Sequence, residues 1–101
     1  MITEIAYITI DPANAAKFEA AVAEASAVLR QAKGCHSMAL ERVIEDPSCY
    51  NLRVQWDTVD DHLVGFRKSA DFVEWRRLVS DHFAGPPVVT HSEAIAKYVS
   101  E

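Results

Sequence analysis

The sequence predicts an α+β fold with the element order β-α-β-β-α-β, one antiparallel sheet with helices on one face. Three patterns predict it. A β-rich opening, Ile2–Ile10, leads into an alanine-rich stretch with helical apolar spacing. Two further β-rich runs flank a Pro-containing loop. A second helical pattern then passes through Gly85-Pro86-Pro87 into a final apolar strand.

The elements follow in order. Residues 2–10 are rich in Ile, Thr and Tyr and read as a strand. Asp11-Pro12 marks a helix start, with Asp as N-cap and Pro at the first helical position, where its missing N–H costs nothing. Gly34 ends that helix, and Phe18, Val22, Ala25, Leu29 and Ala32 fall on one stripe between them. Residues 35–45 and 49–57 form a hairpin around Asp46-Pro47-Ser48. With Glu45 opposite Cys49, Met38 meets Trp56, Leu40 meets Val54 and Ile44 meets Tyr50 on the core face, while Glu41 meets Arg53 on the other. Cys35 and Cys49 then lie on the order of 30 Å apart, too far for a disulfide. Thr58-Val59-Asp60-Asp61 resembles a capping box and starts a short helix carrying His62, Leu63 and Phe66. Ser69 caps another, in which Phe72, Trp75 and Val79 repeat helically until Gly85-Pro86-Pro87. A strand over Val88–Val99 completes a ferredoxin-like order. Both faces of the first and last strands carry apolar residues, so the face without helices is expected to pack against a second copy, giving a homodimer.

The 101 residues fit one domain, 1–101, with half the residues hydrophobic and a quarter charged. A chain this short buries only about two-thirds of its unfolded surface, so a core and a ligand cavity compete for it. The formal net charge of −5 opposes nucleic acid and anionic lipid as partners. No apolar run approaches the ~20 residues that span a bilayer, and the opening residues lack a signal-peptide pattern, so the expected location is cytoplasmic.

Trp56, Asp57-Thr-Val-Asp-Asp-His62, Gly65-Phe-Arg67, Ser69, Phe72, Trp75-Arg76 and Pro87-Val-Val-Thr-His91 together resemble the antibiotic biosynthesis monooxygenase (ABM) family. The resemblance implies a dimeric α+β barrel that oxidises quinols, anthrones or related phenolic compounds with O₂ and no added cofactor. In the anthrone-oxidising branch a Trp, a Tyr six positions later and an Arg on the following helix line the cavity. Carried over, these fall on Trp56, His62 and Arg76, so a His stands where that branch has Tyr. The branch also uses an Asn four residues before the Trp, and here Leu52 occupies that position. The haem-degrading branch needs an Asn, a Trp and a His at positions held here by Ala6, Gly65 and Arg76, which disfavours haem.

Reaction of O₂ with a phenol is spin-restricted, so the substrate must first become a good electron donor by losing a proton. His62, with an ordinary pKa near ~6.5, is the expected base. Arg76 would stabilise the phenolate or a peroxide adduct. Trp56, Phe66, Phe72 and Trp75 would form the apolar walls, with Met38, Leu52 and, as a secondary candidate, His36 beside them. The competing readings are ordinary ones: a surface His62, an Arg76 on a solvated helix face, and Trp and Phe side chains serving only the core. His82 reads as a helix C-terminal cap and His91 as a structural residue at a cavity mouth or dimer edge. No residue spacing suits a metal site, and the three glycines form no phosphate loop. Two other functions fit the same cavity: sequestration of a hydrophobic metabolite without turnover, and cofactor-free isomerisation or cyclisation.

Overall fold

The computed structural model describes residues 1–100. Strand β1 (Ile2–Thr9) is followed by a 3₁₀ turn (Pro12–Asn14) that runs into α1 (Ala15–Arg30). The hairpin β2 (Cys35–Arg42) and β3 (Cys49–Trp56) comes next, then a π-helical turn (Asp61–Phe66), α2 (Ala70–Val79), a 3₁₀ turn (Ser80–His82) and β4 (Val88–Ser92). All strand neighbours are antiparallel in the order β2-β3-β1-β4, so the fold is α+β and ferredoxin-like.

Local signals set the helix ends. Asp11 Oδ1 accepts the Ala13 N–H at 3.0 Å, the Thr58 hydroxyl accepts from Asp61 N–H at 3.1 Å, and the Ser69 hydroxyl accepts from Phe72 N–H at 3.2 Å. Each satisfies an N–H that the first helical turn leaves without a backbone partner. The α1 stripe Phe18, Val22, Ala25 and Leu29 is buried against the sheet, joined by Trp75 and Val79 from α2. Ala6, Ile8, Tyr50, Leu52, Val54 and Trp56 meet them from the strands. Full burial of a Val, Leu, Ile or Phe side chain contributes about 1.5–3 kcal/mol, so this layer supplies most of the drive to fold. The other sheet face has no helix over it and leaves Tyr7 and Val88 exposed.

Two expectations are corrected. The hairpin register is two residues out: Met38 faces Val54, Leu40 faces Leu52 and Arg42 faces Tyr50. The cause is the turn, which begins at Val43, whose N–H donates to Cys49 C=O at 2.9 Å, while Asp46 Oδ1 accepts from Ser48 N–H and Oγ. Because the shift is even, the core face stays the core face, and Glu41 still reaches Arg53 on a diagonal at 3.4 Å. Ile44 drops out of the ladder into the turn and is 92% exposed. The last strand stops at Ser92 rather than Val99. Ser92 already pairs with Thr3, so a longer β4 would find only Ile2 and Met1 left on β1. Ile95, Tyr98 and Val99 are consequently exposed. Both cysteines are free, as the strand positions require.

Gly34 joins α1 to β2 with φ +83, and a Cβ there would stand 2.3 Å from Asp61 Oδ2. Its C=O accepts from Asp57 N–H at 2.8 Å, tying the loop before β2 to the end of β3. Gly34→Ala should cost about 1–2 kcal/mol from the left-handed backbone alone, read as a lower denaturant midpoint. Adding Asp61→Ala, which removes the carboxylate from the clash, should recover only part of the loss. Full recovery would show that φ is not the constraint.

Candidate functional site

A cavity of about 670 Å³ opens between the β1/β4 half of the sheet and α2. Its walls are apolar: Ala6 and Ile8 of β1, Leu52 of β3, Val89 of β4, and Phe66, Phe72 and Trp75 from the helical segments. Four charged or titratable residues also line it, Glu4, His62, Arg67 and Arg76.

Glu4 lies on the core face of β1, directly opposite His91 of β4 and Val54 of β3. It is 5% exposed, and Trp56 Nε1–H donates to its Oε1 at 2.9 Å. His62 Nε2 lies 3.4 Å from the same oxygen. On its other side, His62 Nδ1 lies 2.8 Å from His91 Nε2. The three titratable groups therefore form a chain, Glu4 to His62 to His91. Both contacts of Glu4 fall on Oε1. No buried side-chain nitrogen or oxygen among the described residues lacks a partner, so Oε2 keeps open surface, and the open space beside Glu4 is the cavity.

The π-helical turn positions His62. Its wide i→i+5 closure, Arg67 N–H to His62 C=O at 3.0 Å, brings His62 and Phe66 to the buried side and Arg67 to the cavity rim. The imidazole stacks on the fully buried Trp56 indole, with ring centroids 5.2 Å apart and planes 20° from parallel. Arg76 lies near the Phe72 ring, 6.0 Å from its centroid. Glu74, the carboxylate nearest in sequence, is taken by Arg77, leaving Arg76 without an ion-pair partner among the described residues.

Burial shifts the proton equilibria of Glu4, His62 and His91 toward the neutral form. It raises the Glu4 carboxyl above the usual carboxylate range, partly offset by the Trp56 bond and the Arg67 charge. Burial also pushes His62 down to about 4, helped by the charges of Arg67 and His91. His91 is lowered by burial and then by Arg67. At neutral pH His62 is therefore an uncharged imidazole.

Of the residues singled out from sequence, His62, Arg76, Leu52, Phe66, Phe72 and Trp75 line this one cavity. Trp56 does not line it and sits behind His62. His36 and Met38 do not line it either, because β2 is the sheet edge farthest from β4. A β-bulge between Cys35 and Ser37 also turns His36 away from the Met38 face, and its Nε2 lies 2.5 Å from Asp57 Oδ1 at the surface. Sequence reasoning passed over Glu4 and Arg67 and did not foresee the contact between His91 and His62. The signal for Glu4 was present: it shares its parity with Ile2, Ala6, Ile8 and Ile10. Among the described residues no three His, Cys, Asp or Glu side chains are placed to hold a metal ion. No helix among them is long and apolar enough to cross a membrane.

His62 titrates below its ordinary 6.5 in the folded chain, so protonation favours unfolding. Its contribution to stability is intact above about pH 6.5 and is lost as pH falls toward about 4. The His62 Cε1–H resonance should accordingly hold its neutral-ring shift through pH 6 and move only near about pH 4. A midpoint at or above 6.5 contradicts the buried, neutral ring.

The sequence profile described as Antibiotic biosynthesis monooxygenase matches residues 1–78. A Bordetella bronchiseptica structure assigned to the antibiotic biosynthesis monooxygenases is 52% identical, with TM-score 0.91 over 94% of this chain and 97% of that one. A Streptomyces coelicolor monooxygenase, solved in complex with nanaomycin D, is 19% identical and shares the fold, with TM-score 0.83 over 99% of this chain and 92% of that one. YczJ of Bacillus subtilis is 30% identical over 95 residues, 94% of this chain and 100% of its own length. The chain belongs to the antibiotic biosynthesis monooxygenase family.

Proposed function

We propose that the protein is a cofactor-independent monooxygenase that oxidises a small phenolic aromatic of quinol or anthrone type with O₂. The observation that carries this reading is a buried, uncharged His62 in an aromatic-walled cavity whose rim carries Arg67 and Arg76, neither in an ion pair among the described residues. A planar ring fits between Phe66, Phe72 and Trp75. His62 draws off the phenolic proton, and the electron-rich phenolate then reduces O₂. Arg76 favours the negative charge that develops on phenolate and peroxide. For an anthrone the overall change balances as one CH₂ and one O₂ giving one C=O and one H₂O. The nanaomycin D carried by the Streptomyces relative supports an aromatic ligand of this kind.

The same proposal includes a homodimer. The helix-free sheet face exposes Tyr7 and Val88, and Ile95, Tyr98 and Val99 stand exposed beyond β4. Covering these surfaces with a second copy removes apolar area from water that one chain cannot cover itself.

Leu52 favours a second reading, a metabolite-binding dimer without turnover, because the anthrone-oxidising branch has an Asn at that position. Oxygen consumption decides between them. With dihydroxynaphthalenes and anthrones as substrates, metal-stripped wild type should consume O₂, and His62→Ala should lower kcat by about 10²-fold or more. Ligand-induced thermal stabilisation without oxygen uptake supports the binding reading, and equal rates in wild type and His62→Ala remove His62 from the chemistry. Light scattering should give about twice the 11.2 kDa chain mass at micromolar concentration; a stable monomer removes the dimer.

A further inference from the structure

We infer that Glu4, His62 and His91 form a proton wire in which Glu4 Oε2 is the inlet at the cavity and His91 the outlet toward solvent. The inference rests on the proposed phenol oxidation and adds two residues to it, one touching substrate and one passing the proton on.

The geometry carries it. His62 Nδ1 is bonded to His91 Nε2, and His62 Nε2 stands 3.4 Å from Glu4 Oε1, so each ring nitrogen faces another titratable group. Glu4 Oε2 is engaged by neither contact and is an acceptor open beside the cavity. Trp56 Nε1–H fixes the carboxyl plane by holding the other oxygen at 2.9 Å. At the far end, His91 is only partly buried, whereas His62 is 3% exposed, so a proton leaving the buried pair reaches water through His91. The β1/β4 register enforces the alignment by placing Glu4 and His91 directly opposite each other. Arg67 is the charged group that bears on all three members, and its cation opposes a resting positive charge on either ring.

The transfer balances from the state in which the Glu4 carboxyl holds a proton and both imidazoles are uncharged. The phenolic O–H bond breaks as an O–H bond forms at Glu4 Oε2. The proton already on the carboxyl passes to His62 Nε2, the proton on His62 Nδ1 passes to His91 Nε2, and the proton on His91 Nδ1 goes to water. One proton leaves the substrate and one enters solvent, with no electrons exchanged. The reverse sequence returns a proton to the peroxide oxygen that departs as water and restores the starting tautomers.

Two measurements test the wire, one of them independent of turnover. In ¹⁵N-histidine NMR of the ligand-free protein, a scalar coupling across the His62 Nδ1 to His91 Nε2 bond is expected, and Glu4→Gln should shift the His62 tautomer balance. Absence of the coupling, or an unmoved tautomer, overturns the wire whatever the enzyme does. In turnover, Glu4→Gln keeps an acceptor for Trp56 but cannot carry a proton on oxygen, and should lower kcat by about 10²-fold or more with little change in substrate affinity. His91→Gln should lower kcat by about tenfold and recover with added imidazole. Wild-type kcat in His91→Gln, with no imidazole dependence, overturns the outlet. If wild type consumes no O₂ with any phenol while the NMR results hold, the oxidation reading fails and the wire remains.

Discussion

The Trp56 indole N–H bond to Glu4 Oε1 is the interaction on which the site depends. A carboxyl on the apolar face of a central strand loses its hydration, and without a partner that loss amounts to several kcal/mol. The bond offsets part of it, but only with Trp56 under the π-helical turn and His62 stacked on the indole. His62 then carries the chain of contacts on to His91. One polar group placed where the strand pattern calls for an aliphatic one thus recruits residues from β1, β3, β4 and the segment after β3. Local rules are broken at this point, as they commonly are where a fold is adapted to a function.

Low dielectric gives the cluster its chemical character. The same burial that raises Glu4 lowers His62, so ionic forms are disfavoured across the pair and protons rather than full charges are what it handles readily. Arg67 reinforces this on the imidazoles while remaining exposed at the rim, and Arg76 adds a second cation with no carboxylate partner among the described residues. The cavity therefore combines a floor on which burial disfavours charge with a cationic rim. That division suits a neutral phenol that becomes anionic after it has bound.

Much of this was legible in the residues. The caps at Asp11, Thr58 and Ser69 and the α1 stripe are short-range patterns, and each appears where its spacing places it. The hairpin kept its faces although its register moved, because a two-residue slip preserves side-chain parity. The contact between His91 and His62 was not legible for a different reason. It comes from the β1/β4 register, which pairs residues at opposite ends of the chain and leaves no local trace. The π-helical closure that buries His62 likewise has no distinct spacing to read. Glu4 was readable by parity and was missed by attending to the isoleucines around it.

The central claim is that ligand chemistry begins at Glu4 Oε2. A crystal structure of the protein with 1,4-dihydroxynaphthalene, prepared without oxygen, tests it most directly. The account predicts the ring between Phe66, Phe72 and Trp75 with one phenolic oxygen about 2.6–3.2 Å from Glu4 Oε2. A ring bound in the cavity with both oxygens turned to Arg67 and Arg76, and Glu4 Oε2 facing no ligand atom, would contradict it.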